Sequence, residues 1–279
     1  MFEETTLLTC DSSPMNIDIE LLKQIIINAA EIEVLPRFSE IERSYKADGS
    51  VVTEADLLMQ NRITSALKQH YPDIPLLGEE MTAEQQQHLL SANQAVWCLD
   101  PIDGTSNFAA GMPYFSVSLA LIEGGQTTTA LIYDPIRKEC FSAQLDQGAY
   151  LNNEKLSSKQ LGLSLKQTIA LIDFKRLRPE LATRLVTNRP YGSQRSLGSI
   201  ALELCWIAAG RGHIYLHAKQ HLWDYAAAYL ILNEAGAHSC TLEGKPLSLS
   251  RLEPQSTVAA LDHALFKQWC DYLNVPNAL

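Results

Sequence analysis

The sequence predicts an α/β fold in two parts, residues 1–152 and 153–279. Three observations carry this. Apolar residues recur at helical spacing near the start (Ile19, Leu22, Ile25, Ile26, Ala29, Ala30). Three β-rich runs, 115–122, 127–133 and 139–143, follow one another across turn signals at Gly124-Gly125 and Asp134-Pro135. After about Asn152 the texture changes to alternating strands and helices, which marks the boundary.

Taken in order, the spacing predicts a helix over 18–38 that ends or kinks at Pro36. Residues 45–53 are polar and contain Gly49, so they read as a loop or hairpin. Thr53 can cap a second helix running towards His70. Pro72 and Pro75 bracket a short strand ending at Leu77, and 95–99 is a buried-strand pattern that stops at Asp100. The antiparallel runs then follow, with a further short strand at 149–151. In the second part, strands are expected at 168–172, 213–216 and 257–260. Helices are expected at 179–187, 199–209, 222–235 and 262–273, the third ending at Gly236.

Composition narrows the function classes. The chain has 279 residues, room for one large or two joined domains. Its net charge of −10 disfavours nonspecific binding to nucleic acid or anionic membrane. An anionic substrate must therefore meet local positive charge, which bound cations can supply. The six cysteines lack CxxC spacing and read as mostly buried reduced thiols. The opening residues have no basic segment followed by an apolar run, and no stretch approaches the roughly 20 apolar residues of a membrane span. The expected location is the cytoplasm.

The most informative segment is 97–108, WCLDPIDGTSNF. A buried strand delivers Asp100 at its carboxyl end, where ligands bind in α/β sheets. Asp103 follows three residues later, so both carboxylates and the Ile102 carbonyl can turn to one point. Such oxygen donors suit a hard cation such as Mg²⁺. Gly104 permits close backbone approach, and the amides of Gly104, Thr105 and Ser106 can cradle a phosphate. Read alone, DPxDG is usually a turn with Asp and Gly in ordinary turn roles. Like charges such as Asp100 and Asp103 at close range would raise each other's pKa, a conflict that divalent cations remove.

The twelve-residue string resembles the signature of the inositol monophosphatase family. Gly78-Glu79-Glu80, the Val52–Asp56 stretch VTEAD, and Trp223-Asp224-Tyr225-Ala226-Ala227 with the later Glu234-Ala235-Gly236-Ala237 resemble further family motifs, in the same order. The resemblance runs over roughly 18–273 and implies a layered αβαβα sandwich of the inositol monophosphatase and fructose-1,6-bisphosphatase type. It implies two or three Mg²⁺ ions per site. Glu79, Asp100 and the Ile102 carbonyl would hold the first ion, and Asp100, Asp103 and Asp224 the second. Glu79 with water, helped by Asp56, would hold a weaker third. Thr105 would orient an attacking water, with Asp56 polarising it, and no covalent intermediate would form. Lithium inhibition and a homodimer are further implications.

The resemblance points to a small phosphorylated substrate, with inositol 1-phosphate or a similar polyol phosphate first. Arg195-Ser196-Leu197-Gly198-Ser199 resembles a segment that shapes the substrate pocket, making Arg195, Gly198 and Ser199 candidates beside Asp224; the same residues also read as a plain turn before a helix. Where inositol-selective members carry a Glu, this chain has His217. An imidazole offers different hydrogen bonds from a carboxylate, so His217 points towards another phosphomonoester, or else sits with Lys219 on a solvated loop. The alternatives are fructose 1,6-bisphosphate, nucleotide 2′- or 3′-phosphates, NADP and histidinol phosphate. A different class of reading is a regulatory protein acting through RNA polymerase or ribosome-biogenesis partners. The one basic cluster, Lys175-Arg176-Leu177-Arg178, is too short for an RNA-binding stripe.

Overall fold

The structure is a computed structural model and describes residues 17–38, 44–45, 51–92, 94–157 and 160–276. Cys10, the opening segment and residues 46–50 of the expected loop or hairpin lie outside the described residues.

Helix α1 (Ile19–Ala29) is capped by Asp18, whose Oδ1 accepts from the Glu20 and Leu21 amides at 3.0 and 3.1 Å. It continues through a π turn, Ala30–Val34, and a 3-10 turn, Leu35–Arg37, which contains Pro36. A two-stranded antiparallel ribbon, β1 (Ser44–Tyr45) and β2 (Val51–Val52), leads into α2 (Glu54–His70). Next come β3 (Leu76–Gly78), α3 (Ala83–Ser91), β4 (Val96–Asp103) and α4 (Thr105–Ala110). Strands β5 (Ser116–Glu123), β6 (Gln126–Asp134), β7 (Glu139–Gln144), β8 (Gly148–Leu151) and β9 (Glu154–Lys155) form a meander. The seven strands β3 to β9 lie side by side in chain order, antiparallel except for the parallel β3–β4 pair.

The remaining elements are β10 (Ile169–Ile172), α5 (Pro179–Thr187), β11 (Ser193–Arg195), α6 (Ile200–Ala208), β12 (Ile214–Gln220), α7 (Leu222–Glu234), β13 (His238–Cys240), β14 (Gln255–Ala260) and α8 (His263–Leu273). They contain a five-stranded mixed sheet, ordered β11-β10-β12-β14-β13.

Side-chain alternation along the strands builds the layers. Trp97 and Leu99 face one way, with Leu22 and Ile26 of α1 and Met59 and Ile63 of α2. Val96 and Cys98 face the other way, with Leu202 of α6 and Tyr225 and Ile231 of α7. Leu171, Tyr215 and Ala259 of the five-stranded sheet close that second core from its far side. The opposite face of the smaller sheet, with Ile172 and Leu216, packs against Leu185 of α5 and Trp269 of α8. The order is helix, sheet, helix, sheet, helix. Helix α7 is apolar around its circumference because it is covered on both sides.

Three expectations need correction. The short strand lies after Pro75 rather than between the prolines, since proline lacks the amide a ladder requires. Strand β4 does not stop at Asp100 but bulges and continues to Asp103. Strand β12 runs to Gln220, so His217 sits in a sheet and is buried rather than on a solvated loop.

Candidate metal centre and active site

The bulge in β4 makes the site. Asp100 pairs opposite Ser118 and Asp103 opposite Ser116, with a register shift between them. The Asp100 Oδ1 accepts from the Ile102 amide at 3.0 Å, which folds the chain around Pro101. Extra residues of this kind re-aim side chains on a strand. Parallel pairing of β3 with β4 brings in Glu79, whose amide donates to the Leu99 carbonyl at 3.1 Å. Its carboxyl is hydrogen-bonded to that of Asp100. Asp224 arrives from the first turn of α7, where its Oδ2 accepts from the His221 amide at 2.8 Å.

Asp100, Asp103 and Asp224 each present an oxygen to one point, all within 4.8 Å of one another, and all three are buried. Burial raises the Asp100 pKa well above the usual carboxylate range, and the charges of Glu79, Asp103 and Asp224 push it further. Asp224 is likewise raised by burial, then by Asp103 and Glu79. Asp103 is pushed up to about 6 by burial, against hydrogen bonds from Ser199, Ala201 and Ile200 that lower it. These are hard oxygen donors in mutual repulsion, the donor set that fits a divalent cation such as Mg²⁺. Cys98 is buried behind them, and its thiol is held well above its ordinary range by burial and then by the Asp100 and Asp224 charges, which keeps it protonated.

Asp103 faces two ways. Its Oδ1 accepts from the Ile200 amide at 3.0 Å, and its Oδ2 from the Ala201 amide at 2.8 Å and from the Ser199 hydroxyl. The carboxylate thus caps the N-terminus of α6, where the helix dipole favours a negative charge. Gly104 has φ +97°, the left-handed region that favours glycine, and a Cβ there would stand 3.1 Å from the Gly198 carbonyl.

Thr105 opens α4 beside the cluster. Its hydroxyl lies 2.9 Å from the Ile102 carbonyl and 3.3 Å from Asp56 Oδ1. The other Asp56 oxygen accepts from the Thr53 amide at 2.8 Å and the Thr53 hydroxyl at 2.6 Å. Asp56 is wholly buried; that pushes its pKa up to about 7, the Thr53 bonds opposing and Glu79 and Glu80 adding to the rise.

The 195–199 segment is tied in by two residues that sequence reasoning missed. The Asn107 amide donates to the Tyr114 and Leu197 carbonyls, each at 2.7 Å. Buried Glu203 accepts from the Leu197 and Gly198 amides through Oε1 at 2.5 and 3.1 Å. Burial lifts its pKa to about 7, against those two bonds. Its signal was in the sequence: one acid inside the apolar run 200–208. Gly198 and Ser199 therefore stand at the cluster, whereas the exposed Arg195 guanidinium donates back to the Ser193 hydroxyl and the Gln194 carbonyl. Ser106 lies on the first turn of α4, next to Thr105. His217 Nε2 pairs with Asp173 Oδ2 at 3.0 Å, and Asp173 also faces Arg176 at 3.8 Å. Burial works against the Asp173 charge, but the His217 bond and charge outweigh it and hold its pKa below the ordinary value.

A family model described as the inositol monophosphatase family matches residues 15–272. The chain belongs to this family. Among its relatives, inositol monophosphatase 1 of Solanum lycopersicum is 37% identical over 198 residues, covering 69% of this chain and 72% of the relative. Nus factor SuhB of Xylella fastidiosa is 35% identical over 196 residues, covering 69% of each. The crystal structure of extragenic suppressor protein suhB from Bartonella henselae superposes with a TM-score of 0.78 at 26% identity, covering 94% of this chain and 99% of that one. The layered fold is thus the family's own, and membership makes this a chain of the phosphatase type. Among the described residues no helix is long and apolar enough to cross a membrane.

Proposed function

We propose that the chain hydrolyses a small phosphomonoester at the carboxylate cluster with Mg²⁺ bound there. The observation that carries this reading is the convergence of Asp100, Asp103 and Asp224 within 4.8 Å, beside the Thr105–Asp56 pair. Glu79, Asp100, the Ile102 carbonyl, Asp103 and Asp224 would hold two or three ions. Bound Mg²⁺ would neutralise the phosphoryl oxygens and acidify water.

The chain's own groups then have defined work. Asp56 accepts the Thr105 proton, which turns a lone pair of the Thr105 oxygen outward to receive a proton from the attacking water. The amides of Gly104, Thr105 and Ser106 face the substrate phosphate, outside the ladder of α4. Gly198 and Ser199 line the other wall, with Arg195 at the rim. The site is divided between the two parts, 1–152 and 153–279. His217, held by Asp173, shapes the pocket where inositol-selective relatives carry a Glu. Inositol 1-phosphate or a related polyol phosphate heads the substrate list, followed by fructose 1,6-bisphosphate, nucleotide 2′- or 3′-phosphates, NADP and histidinol phosphate.

Phosphate release from these compounds, with and without Mg²⁺, tests the reading against Asp224→Asn. Mg²⁺-dependent turnover that the variant loses supports it; folded protein inactive on every compound sinks it. Likeness to proteins named Nus factor SuhB favours a second reading, a regulatory protein in a transcription complex. Copurification with RNA polymerase, retained in Asp224→Asn, would support that role. A cytoplasmic homodimer inhibited by lithium is part of the proposal, checked by light scattering and a LiCl titration.

A further inference from the structure

The basic cluster that looked too short in the sequence is one edge of something larger. Arg176 and Arg178 meet Arg184 of α5, Lys219 of β12, and Lys245 and Arg251 from the β13–β14 connection around a cavity of about 1150 Å³. Six basic side chains line it against two acidic ones, Glu180 and Glu243, in a chain whose net charge is −10. The carboxylate cluster is not part of its lining.

Several of these cations are unspent. Among the described residues, Arg178, Lys219 and Lys245 make no ion pair. The Arg184 guanidinium is held 5.1 Å over the Tyr272 ring and, among the described residues, pairs with no carboxylate. An anion lodged in the cavity would supply the missing counter-charge. Leu181, Leu242 and Leu273 add an apolar wall. Concave shape, a few convergent charges and apolar wall are the features of a small-molecule site rather than of the open basic stripe that tracks a nucleic-acid backbone.

We propose that this cavity is a second ligand site, separate from the carboxylate cluster, which takes the oligophosphate group of a small molecule such as a nucleoside triphosphate. The phosphates sit among Arg178, Arg184, Lys245 and Arg251, and the body of the ligand lies against the leucines. The inference does not depend on catalysis at the cluster.

Calorimetric titration of the full chain with ATP, and separately with inorganic tripolyphosphate, tests it. EDTA in the buffer keeps hydrolysis out of the measurement. The expected result is saturable one-to-one binding that weakens as salt is raised. The double variant Arg178→Ala/Lys245→Ala should weaken it about tenfold or more, and Asp224→Asn should leave it unchanged. ATP binding tighter than tripolyphosphate would assign the apolar wall to the ligand's body; equal affinities would confine the site to the phosphates, and both uphold the oligophosphate assignment. No binding of either probe, or binding lost in Asp224→Asn and kept in the double variant, would overturn it. So would binding of single-stranded RNA alone. Melting curves of the variants separate a lost site from a lost fold.

Discussion

Asp103 and Asp224 look alike in the cluster but should respond differently to removal of charge. Asp103 accepts from two amides and a hydroxyl of the α6 N-terminus. An Asn there turns an NH₂ towards donors. In EDTA, Asp103→Asn should therefore lose about 1–3 kcal/mol of stability. Asp224 has one such bond, to the His221 amide, which an Asn carbonyl can keep. Asp224→Asn should melt no lower than the parent, because it relieves repulsion in the metal-free cluster. Paired melting curves decide between them; equal losses would refute the distinction. Thr105 offers a cleaner chemical test. Thr105→Ala should lower kcat about a hundredfold or more, whereas Thr105→Ser, which keeps the oxygen near Asp56, should stay within about tenfold. An alanine variant with undiminished kcat would remove Thr105 from the mechanism.

At the scale of the element, α6 is held by buried acids at both ends of its first turn. Glu203 caps the 197–198 turn with its pKa raised from 4.5 to about 7. A raised carboxyl pKa means that the native state binds the proton more tightly. Stability is therefore lost as pH rises from about 4.5 to about 7. Glu203→Gln keeps an oxygen for both amides without the charge. Its stability relative to the parent should grow by up to about 3 kcal/mol between pH 5 and pH 8, measured by urea unfolding in EDTA. A gap that does not change with pH would show that Glu203 titrates normally. Much at this scale was legible in the sequence. The meander showed in β-rich runs between turn signals, and α7 in its long apolar run. Strands β9, β11 and β13 were not, because two or three residues carry no periodicity. Helix α3 was missed because AEQQQHLLS buries only Gln86. The burial of His217 was illegible because it rests on Asp173, a partner brought to it only by the parallel pairing of β10 with β12.

For the whole molecule, the cluster ties stability to metal and pH together. Asp103, with a pKa of about 6, and Asp100 and Asp224, both held well above the ordinary carboxylate range by burial and by one another's charges, must ionise before they can bind a cation. Mg²⁺ should therefore raise the melting temperature, with a stabilisation of about 2.7 kcal/mol at a hundred times its Kd. That increment should shrink as pH falls below about 6. A metal effect of equal size at pH 5 and pH 8 would place the ion elsewhere. Two of the ordered motifs carry Asp100, Asp103 and Asp224, and each lies at the end of a recognisable element. What no motif disclosed is that the layers converge on one of the cluster's members.

The double bonding of Asp103 bears on how such sequences are interpreted. A descendant that abandoned catalysis and survived as a binding partner would still need Asp103 to seat α6. Its persistence would testify to architecture alone. Asp224, with one local bond, and Thr105, whose hydroxyl the proposed mechanism uses, would be freer to drift, and their loss would be the better mark of a lineage that has left enzymology behind.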